Sequence, residues 1–147
     1  MLTTLPPSLE SHALRLHPGA DLHQALLEFA LAHHIQAGFI ITGVGSLRKA
    51  SLRLAGRTES QTFNGPFEII SLSGTLSIYG EHLHVGLADG QGKTLAGRLV
   101  KGCQIATTAE IILADSLNHR FIRQPDPHTG YSELVVELRD QAETFSH

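Results

Sequence analysis

"GEHLHVGLADGQGKTLAGRLV", residues 80–100, predicts two β-strands joined by a glycine-rich turn, and this hairpin decides the fold class. Polar and apolar residues alternate before the turn, as they do in a strand with one buried face. A five-residue loop at 89–93 would place His84 directly opposite Arg98. Because a loop this short joins neighbouring strands only when they run antiparallel, the stretch predicts an antiparallel hairpin.

The rest of the chain adds further strand patterns and one helix. "DLHQALLEFALAHH", residues 21–34, repeats its apolar residues at helical spacing, with Asp21 as the N-cap and His34 interacting with the helix dipole at the other end. Strand patterns are found in "SHALRL", "AGFIITGVGS", "LRKASLRLAGR", "FNGPFEIISLSGTLSIYG" (with Gly74 as a bulge), "KTLAGRLVKGCQIATTAEIILAD" and "RFIRQPDPHTGYSELVVEL". One helix among seven or eight strands predicts a single α+β domain over residues 1–147, built on a largely antiparallel sheet.

Composition narrows the classes of function. The 147 residues are 41% hydrophobic and 17% charged, which indicates a globular protein, and the net charge of −3 does not favour nucleic acid as a partner. No apolar run reaches the roughly 18 residues of a membrane span, and the first residues do not resemble a signal peptide, so we expect no membrane association and a cytoplasmic location. The single cysteine, Cys103, excludes an internal disulfide and is expected to be a buried small apolar residue.

Four of the eleven basic residues fall within ten positions, at Arg48, Lys49, Arg53 and Arg57. The cluster has two interpretations: a solvated strand face, or a surface for nucleic acid or another anion. Just before it, "GVGS" at 43–46 resembles part of a phosphate-binding loop. No Walker lysine follows, so we expect a strand that ends there in a tight turn.

His82 and His84 carry the most specific chemical signal. Because side chains alternate along a strand, the two imidazoles share a face with Gly86 and Ala88, whose small size leaves room for a ligand or another subunit. The same register would place His82 opposite Val100. The other face of this strand is apolar and consists of Leu83, Val85 and Leu87. The pair is open to three interpretations: metal ligands, part of an anion site, or a polar cluster at a subunit interface.

The order and spacing of several segments resemble the PPC domain, the "plants and prokaryotes conserved" domain. The similarity covers about residues 12–138 and rests on "PGADLHQALLEFALAHHIQAGFIITGVGSLRKASLRL", "GPFEIISLSGTLS", "HLHVGLADGQGKTLAGRLVKG" and "TTAEIILAD". It implies an antiparallel sheet flanked by helices and a homotrimer. Plant members bind AT-rich DNA through an AT-hook with a Gly-Arg-Pro core, but these 147 residues contain no Gly-Arg-Pro. Where the plant domain carries Gly-Arg-Phe-Glu-Ile, this chain has Pro66 in place of the arginine, which puts that mode of partner binding in doubt.

The resemblance also makes Arg98 informative. Prokaryotic relatives commonly show three histidines in a metal-like set, and the positions matching them here are His82, His84 and Arg98. Arginine has no lone pair to donate, and zinc or another divalent metal normally needs at least three protein ligands. The set would therefore need Glu110, Asp89 or a histidine of another subunit. Alternatively, the three residues bind a small anion such as a carboxylate or phosphate.

Glu110, between apolar neighbours in "TTAEII", is expected to be partly buried and is the one weak candidate for a catalytic residue. It would orient an imidazole, act as a general base, or form a structural hydrogen bond. No nucleophile–base arrangement can be assembled from spacing alone, so the sequence does not decide whether the protein is an enzyme.

Three functions follow from these observations, and the third is a purely structural trimer that presents surfaces to protein partners. The first is a homotrimeric PPC protein with a DNA-associated or regulatory role, in which the basic cluster is repeated threefold. The second is a small-molecule or metal-binding protein, or an enzyme, with a His/Arg/Glu site near the subunit interface.

Overall fold

The computed structural model describes residues 8–140 and confirms a mainly antiparallel sheet. Its elements are β1 (Leu9–Leu16), α1 (Leu22–Ala32), β2 (Gly38–Arg53), β3 (Gln61–Ser77), β4 (Gly80–Asp89), β5 (Thr94–Leu99), β6 (Gln104–Ser116), β7 (His119–Pro125) and β8 (Ser132–Leu138). The flanking helices that the resemblance implied are reduced to α1 within this range, since the other apolar stretches have the alternation of strands. No helix among residues 8–140 is long and apolar enough to cross a membrane.

Six strands form one sheet in the order β1-β6-β2-β3-β4-β5, and β7 pairs with β8 in a separate two-stranded sheet. The end of β2 also pairs with β5, through Leu52 opposite Leu99 and Arg53 opposite Arg98. Strands β2, β3, β4 and β5 therefore close into a ring, while β6 and β1 extend the sheet from the other edge of β2. This closure brings the basic end of β2 next to the predicted hairpin.

The core lies between α1 and the inner face of the sheet. Leu22, Leu26 and Ala30 recur at helical spacing and are buried, as the periodicity predicts. They join the buried side chains of the strands, among them Leu47, Leu52, Leu83, Leu87, Leu99, Ile105 and Ile111. Each fully buried leucine or isoleucine contributes roughly 1.5–3 kcal/mol relative to exposure, so this cluster is a large favourable term in the folding free energy.

Asp21 begins the helix, as predicted, and also connects it to the sheet. Its Oδ1 accepts a hydrogen bond from Gln24 N at 2.9 Å, the usual N-cap contact. Its Oδ2 accepts from Gly102 N at 2.7 Å and from Cys103 N at 3.0 Å. One carboxylate therefore satisfies three backbone donors and sets the position of α1 against the start of β6.

The other end of the helix differs from the prediction for His34. The helix ends at Ala32 with His33 as the C-cap, and His34 lies beyond it at φ 51°. It is His33 whose Nδ1 lies 3.1 Å from Phe29 O, next to the last turn. His33 also stacks on the Phe29 ring with centroids 4.0 Å apart, and this packing explains why it replaces His34 there.

The predicted turn at 43–46 and the predicted bulge at Gly74 are both wrong. Strand β2 continues through Gly45 with a shift in its pairing to β6, and a Cβ at Gly45 would collide with Thr108 O. Glycine there allows β6 to approach rather than ending the strand. In β3 the pairing to β4 shifts between Ile69 and Ser71, whereas Gly74 pairs in register with Leu83.

A buried ion pair holds the β7–β8 hairpin against the main sheet. Arg139 Nη2 donates to Asp115 Oδ1 at 2.7 Å, and the two side chains are 0% and 4% exposed. Asp115 also accepts from Ala37 N at 3.0 Å, and Arg139 Nε donates to His119 O at 2.6 Å. These bonds connect the ends of β6 and β8 to the start of β2.

Candidate functional site

His82 and His84 lie side by side on the outer face of β4, as the alternation predicts. Both side chains are exposed, and their rings meet edge to face with centroids 5.1 Å apart. The intervening Leu83 is 0% exposed and belongs to the core. The core thus fixes the inner face of the strand and leaves the imidazoles available to a ligand.

The predicted hairpin register is confirmed at its most informative position. His84 pairs with Arg98 across β4 and β5, and the loop closes through Asp89 N donating to Lys93 O at 2.9 Å. Strand β5 ends at Leu99, one residue short of the Val100 that was expected opposite His82. Since Arg98 also pairs with Arg53 of β2, an imidazole and two guanidinium groups follow one another across three strands.

A groove of about 450 Å³ runs along this row. Its charged and polar lining consists of Arg53, Arg57, Thr58, His82, His84, Arg98 and Tyr131. Leu54, Ala55 and Ala96 add apolar surface. None of the aspartate and glutamate residues within 8–140 lines it, so the lining is cationic. A smaller recess of about 220 Å³ lies beside the same histidines, next to Ser73 and Gly74.

Arg98 is held in place by Glu81, a residue that the sequence analysis missed. Arg98 Nη2 donates to Glu81 O at 3.2 Å and to Glu81 Oε1 at 3.4 Å. His23 of α1 approaches the same carboxylate, with Nε2 3.4 Å from Oε1. The signal for Glu81 was its place on the apolar face of β4, in phase with Leu83, where an acid needs a partner.

The groove disfavours a protonated His82. Partial burial, followed by the positive charges of Arg98, His84 and Arg123, lowers the pKa of His82 below its ordinary 6.5, and Glu81 acts in the opposite direction. Burial penalises any charge on the ring, whereas the guanidinium groups of Arg98 and Arg123 penalise a positive charge in particular. Arg123 is held nearby by donating to Thr75 Oγ1 at 3.0 Å.

The residues present do not fit a divalent metal within one chain. His82 and His84 provide two donors, and Arg98 at the third position provides none. Among residues 8–140 there is no group of three or more histidine, cysteine, aspartate or glutamate side chains arranged to hold a metal ion. Within the described residues, the third donor that zinc would need is therefore missing from the groove.

Glu110 is exposed, so the predicted partial burial is wrong. It lies on β6 between Arg15 of β1 and Val44 of β2, and it does not line the groove of its own chain. Its neighbours Ala109 and Ile111 are buried, and strand alternation therefore turns Glu110 to the outside. The apolar neighbours in the sequence indicated that Glu110 would be buried, but only those neighbours point into the core.

The structure divides the basic cluster. Arg53 ends β2 and Arg57 lies in the following loop, and both line the groove. Arg48 and Lys49 are exposed further back on β2, beyond the groove, where Arg48 Nη2 lies 3.5 Å from Ala106 O. The cluster is therefore two surfaces rather than one.

Cys103 is buried, as predicted, and plays no part in the groove. It is 0% exposed, its Sγ lies 3.2 Å from Ser51 O, and burial raises the pKa of the thiol to about 11. A thiol in this state is a poor nucleophile at neutral pH.

Comparison with other proteins identifies relatives of the chain. The family model of the Plants and Prokaryotes Conserved (PCC) domain matches residues 5–116. The chain is 55% identical over 130 residues to bifunctional protein GlmU from Synechococcus sp. (strain JA-3-3Ab), which covers 88% of the chain and 21% of that protein. It is 29% identical over 129 residues to AT-hook motif nuclear-localized protein 27 from Arabidopsis thaliana, covering 78% of the chain and 41% of that protein. The chain thus spans less than half the length of these relatives.

Solved structures share the fold over most of the chain. A hypothetical protein from Salmonella enterica superimposes with a TM-score of 0.89 at 36% identity, covering 92% of this chain and 99% of the other. A plant- and prokaryote-conserved (PPC) protein from Pyrococcus horikoshii superimposes with a TM-score of 0.72 at 27% identity, covering 95% of this chain and 100% of the other. A metal-containing protein from Archaeoglobus fulgidus superimposes with a TM-score of 0.72 at 26% identity, covering 86% of this chain and 93% of the other.

Proposed function

The chain belongs to the Plants and Prokaryotes Conserved domain family, and on that premise we propose that it is a homotrimeric regulatory protein that associates with DNA. The supporting observation is the exposed basic pair Arg48 and Lys49 on β2, which three copies would present three times. The family relationship to the plant AT-hook protein makes DNA a reasonable partner. These 147 residues contain no Gly-Arg-Pro, so the contact that we propose within them is made by the side chains of Arg48 and Lys49 with phosphates.

An apolar patch on the outer face of the sheet supports the trimer. Ile41, Val44, Ile70 and Ile112 are 53%, 52%, 57% and 40% exposed on the adjacent strands β6, β2 and β3. Large apolar side chains clustered on a surface mark sites of association. Val44→Lys should therefore yield monomers in sedimentation equilibrium, whereas Leu31→Lys on the exposed side of α1 should leave the assembly unchanged. A wild-type protein that sediments as a monomer contradicts the trimer.

DNA association is tested by gel retardation of a duplex at increasing salt. Retention should be present at 50 mM salt and fall steeply as salt rises, because binding to phosphates releases counterions. The double variant Arg48→Gln, Lys49→Gln should weaken retention and flatten its salt dependence. A wild-type protein that gives no shift at 50 mM salt contradicts DNA association.

The groove favours a second candidate function, the binding of a small molecule or metal at His82, His84 and Arg98. The cationic lining supports an anion, and a divalent metal such as zinc would require a third donor in addition to the two histidines. Elemental analysis of protein purified without a nickel column tests the metal version. Substoichiometric metal together with no thermal stabilisation by a panel of small anions contradicts both versions.

A further inference from the structure

We infer that the groove binds a small organic phosphate monoester, with Arg53 and Arg57 holding the phosphate and Tyr131 contacting the organic part. This inference rests on the second candidate function and names its class of ligand. It does not depend on DNA association, since Arg48 and Lys49 lie outside the groove.

The first argument is that two arginines of the groove have no ion pair with a carboxylate of the described chain. Arg98 shares Glu81 with His23, but among residues 8–140 neither Arg53 nor Arg57 has an ion pair with a carboxylate. A carboxylate ligand carries one negative charge, whereas a phosphate monoester carries about 1.5 to 2 at neutral pH and has three acceptor oxygens. Guanidinium groups bind such oxygens through two parallel hydrogen bonds, so two of them match one phosphate better than one carboxylate.

The second argument is the pairing of like charges in the sheet. Arg53 and Arg98 occupy directly opposite positions on β2 and β5. Opposite residues in an antiparallel pair have Cβ atoms about 4.5–5.5 Å apart, and like charges at this spacing repel. Glu81 relieves this repulsion on the Arg98 side only. An anion in the groove would relieve it on the Arg53 side.

The third argument concerns the uncharged part of the lining. Tyr131, in the loop between β7 and β8, is 60% exposed and borders the same groove as the arginines. Leu54, Ala55 and Ala96 add apolar surface next to it. A free inorganic phosphate would leave this surface in water, whereas an organic phosphate covers it and gains the corresponding hydrophobic contribution.

Isothermal titration calorimetry at pH 7.5 in 50 mM NaCl tests the inference, with phenyl phosphate as the probe. Phenyl phosphate should bind at least tenfold more tightly than inorganic phosphate, benzoate or phenol, because only it provides both the dianion and the ring. Binding of benzoate or added zinc without binding of phenyl phosphate would leave the second candidate function standing and overturn the ligand class. If none of these probes binds, both the second candidate function and the assignment of a phosphate monoester fail.

Variants locate the binding within the groove. Arg53→Gln and Arg57→Gln should each weaken phenyl phosphate binding about tenfold or more, whereas the matched change Arg48→Gln on the same strand should alter it less than twofold. Tyr131→Ser should weaken phenyl phosphate but not inorganic phosphate, and Tyr79→Ser, which removes an exposed tyrosine elsewhere, should change neither. Arg57 lies in an exposed loop, so its variant remains informative even if Arg53→Gln disturbs the sheet.

A competition experiment separates a small ligand from the phosphates of DNA. A short duplex without terminal phosphates should fail to displace phenyl phosphate from the wild-type protein. Displacement by the duplex, together with loss of duplex binding in Arg57→Gln, would make the groove part of a DNA surface and overturn the assignment to a small molecule. If Arg48→Gln and Arg57→Gln weaken the binding of phenyl phosphate equally, the assignment to a small molecule is overturned as well.

Discussion

His84 of β4 lies directly opposite Arg98 of β5, so an imidazole and a guanidinium group occupy facing positions in the hairpin ladder. Because Arg98 also faces Arg53 of β2, the pair forms one end of a row of basic groups across three strands. The arginine therefore removes a metal donor from the position beside the histidines and adds a fixed positive charge. This fixed charge makes the groove unfavourable for a cation and favourable for an anion.

His82 should titrate below its ordinary pKa, and Arg98→Gln should raise that pKa. Partial burial is the main cause of the lowered value and the Arg98 charge is the next, so removal of the charge relieves part of the shift. Titration of the His82 ring protons by NMR measures the change. Arg48→Gln serves as the control and should leave the titration unchanged; an equal rise in this variant would contradict a local effect.

The lowered pKa of His82 also predicts how the stability of the protein changes with pH. His82 takes up its proton at lower pH in the folded state than in the unfolded state, so its contribution to stability is present above pH 6.5 and is lost as pH falls through the lowered pKa. Urea denaturation of wild type and His82→Gln should therefore show that the variant loses less stability than wild type between pH 7.5 and 5.

Gly74→Ala should destabilise the protein more than Gly19→Ala. Both glycines have positive φ, 124° and 88°, so both substitutions carry backbone strain. A Cβ at Gly74 would collide with His82 O on the neighbouring strand, whereas a Cβ at Gly19 meets nothing within 4 Å. Chemical denaturation should therefore give a difference of more than about 1 kcal/mol between the variants. Similar losses of stability in the two variants would contradict this prediction, because they would mean that β3 and β4 can move apart to accommodate the Cβ without loss of stability.

Asp115→Asn should lower the free energy of unfolding by about 3–5 kcal/mol, because it removes a carboxylate that pairs with the buried guanidinium group of Arg139. Glu137→Gln is the matched control, since its ion pair with Arg120 spans 3.4 Å and its side chain is 45% exposed. Removing a surface pair of this kind costs at most about 1 kcal/mol. Urea denaturation at one fixed protein concentration compares the two, and equal effects would contradict a specific role for the buried pair.

Cys103 should resist alkylation in the folded protein and react on unfolding. It is the one cysteine in the sequence, so incorporation of iodoacetamide at pH 8, followed by mass spectrometry, reports on this site alone. Because burial raises the thiol pKa from 9.0 to about 11, the unfolded chain ionises first as pH rises. Between pH 9 and 11 the stability of wild type relative to Cys103→Ala should fall by up to about 1.4 kcal/mol per pH unit. A constant difference would contradict the raised pKa.

Local patterns predicted part of the site correctly. The alternation of His82, Leu83 and His84 assigned the outer and inner faces of β4, because side chains in a strand alternate whatever the strand packs against. The length of the loop after Asp89 set the pairing of His84 with Arg98, since a short loop leaves few ways to pair its flanking strands. Asp21 was recognisable as an N-cap because the contact involves residues three positions apart.

The two errors, at Gly45 and at Glu110, have different physical origins. Glycine in "GVGS" indicated a turn, but at Gly45 it instead permits the approach of β6, which comes from a distant part of the chain. Glu110 was expected to be partly buried because of its apolar neighbours, although alternation turns it outward. The role of Gly45 thus depends on a distant strand, whereas the exposure of Glu110 follows from the alternation of its own strand, which the prediction from apolar neighbours overlooked.

The sequence by itself determined the hairpin, the orientation of the two histidines and the arginine that faces them, since each follows from neighbours along the chain. Only the tertiary structure decided that Arg53 and Arg57 border the same groove, because this requires the end of β2 to pair with β5 and close the sheet. It likewise decided that His23 of the helix and Glu81 of β4 hold Arg98. Pairings between distant segments depend on how the whole core packs, and no local spacing encodes them.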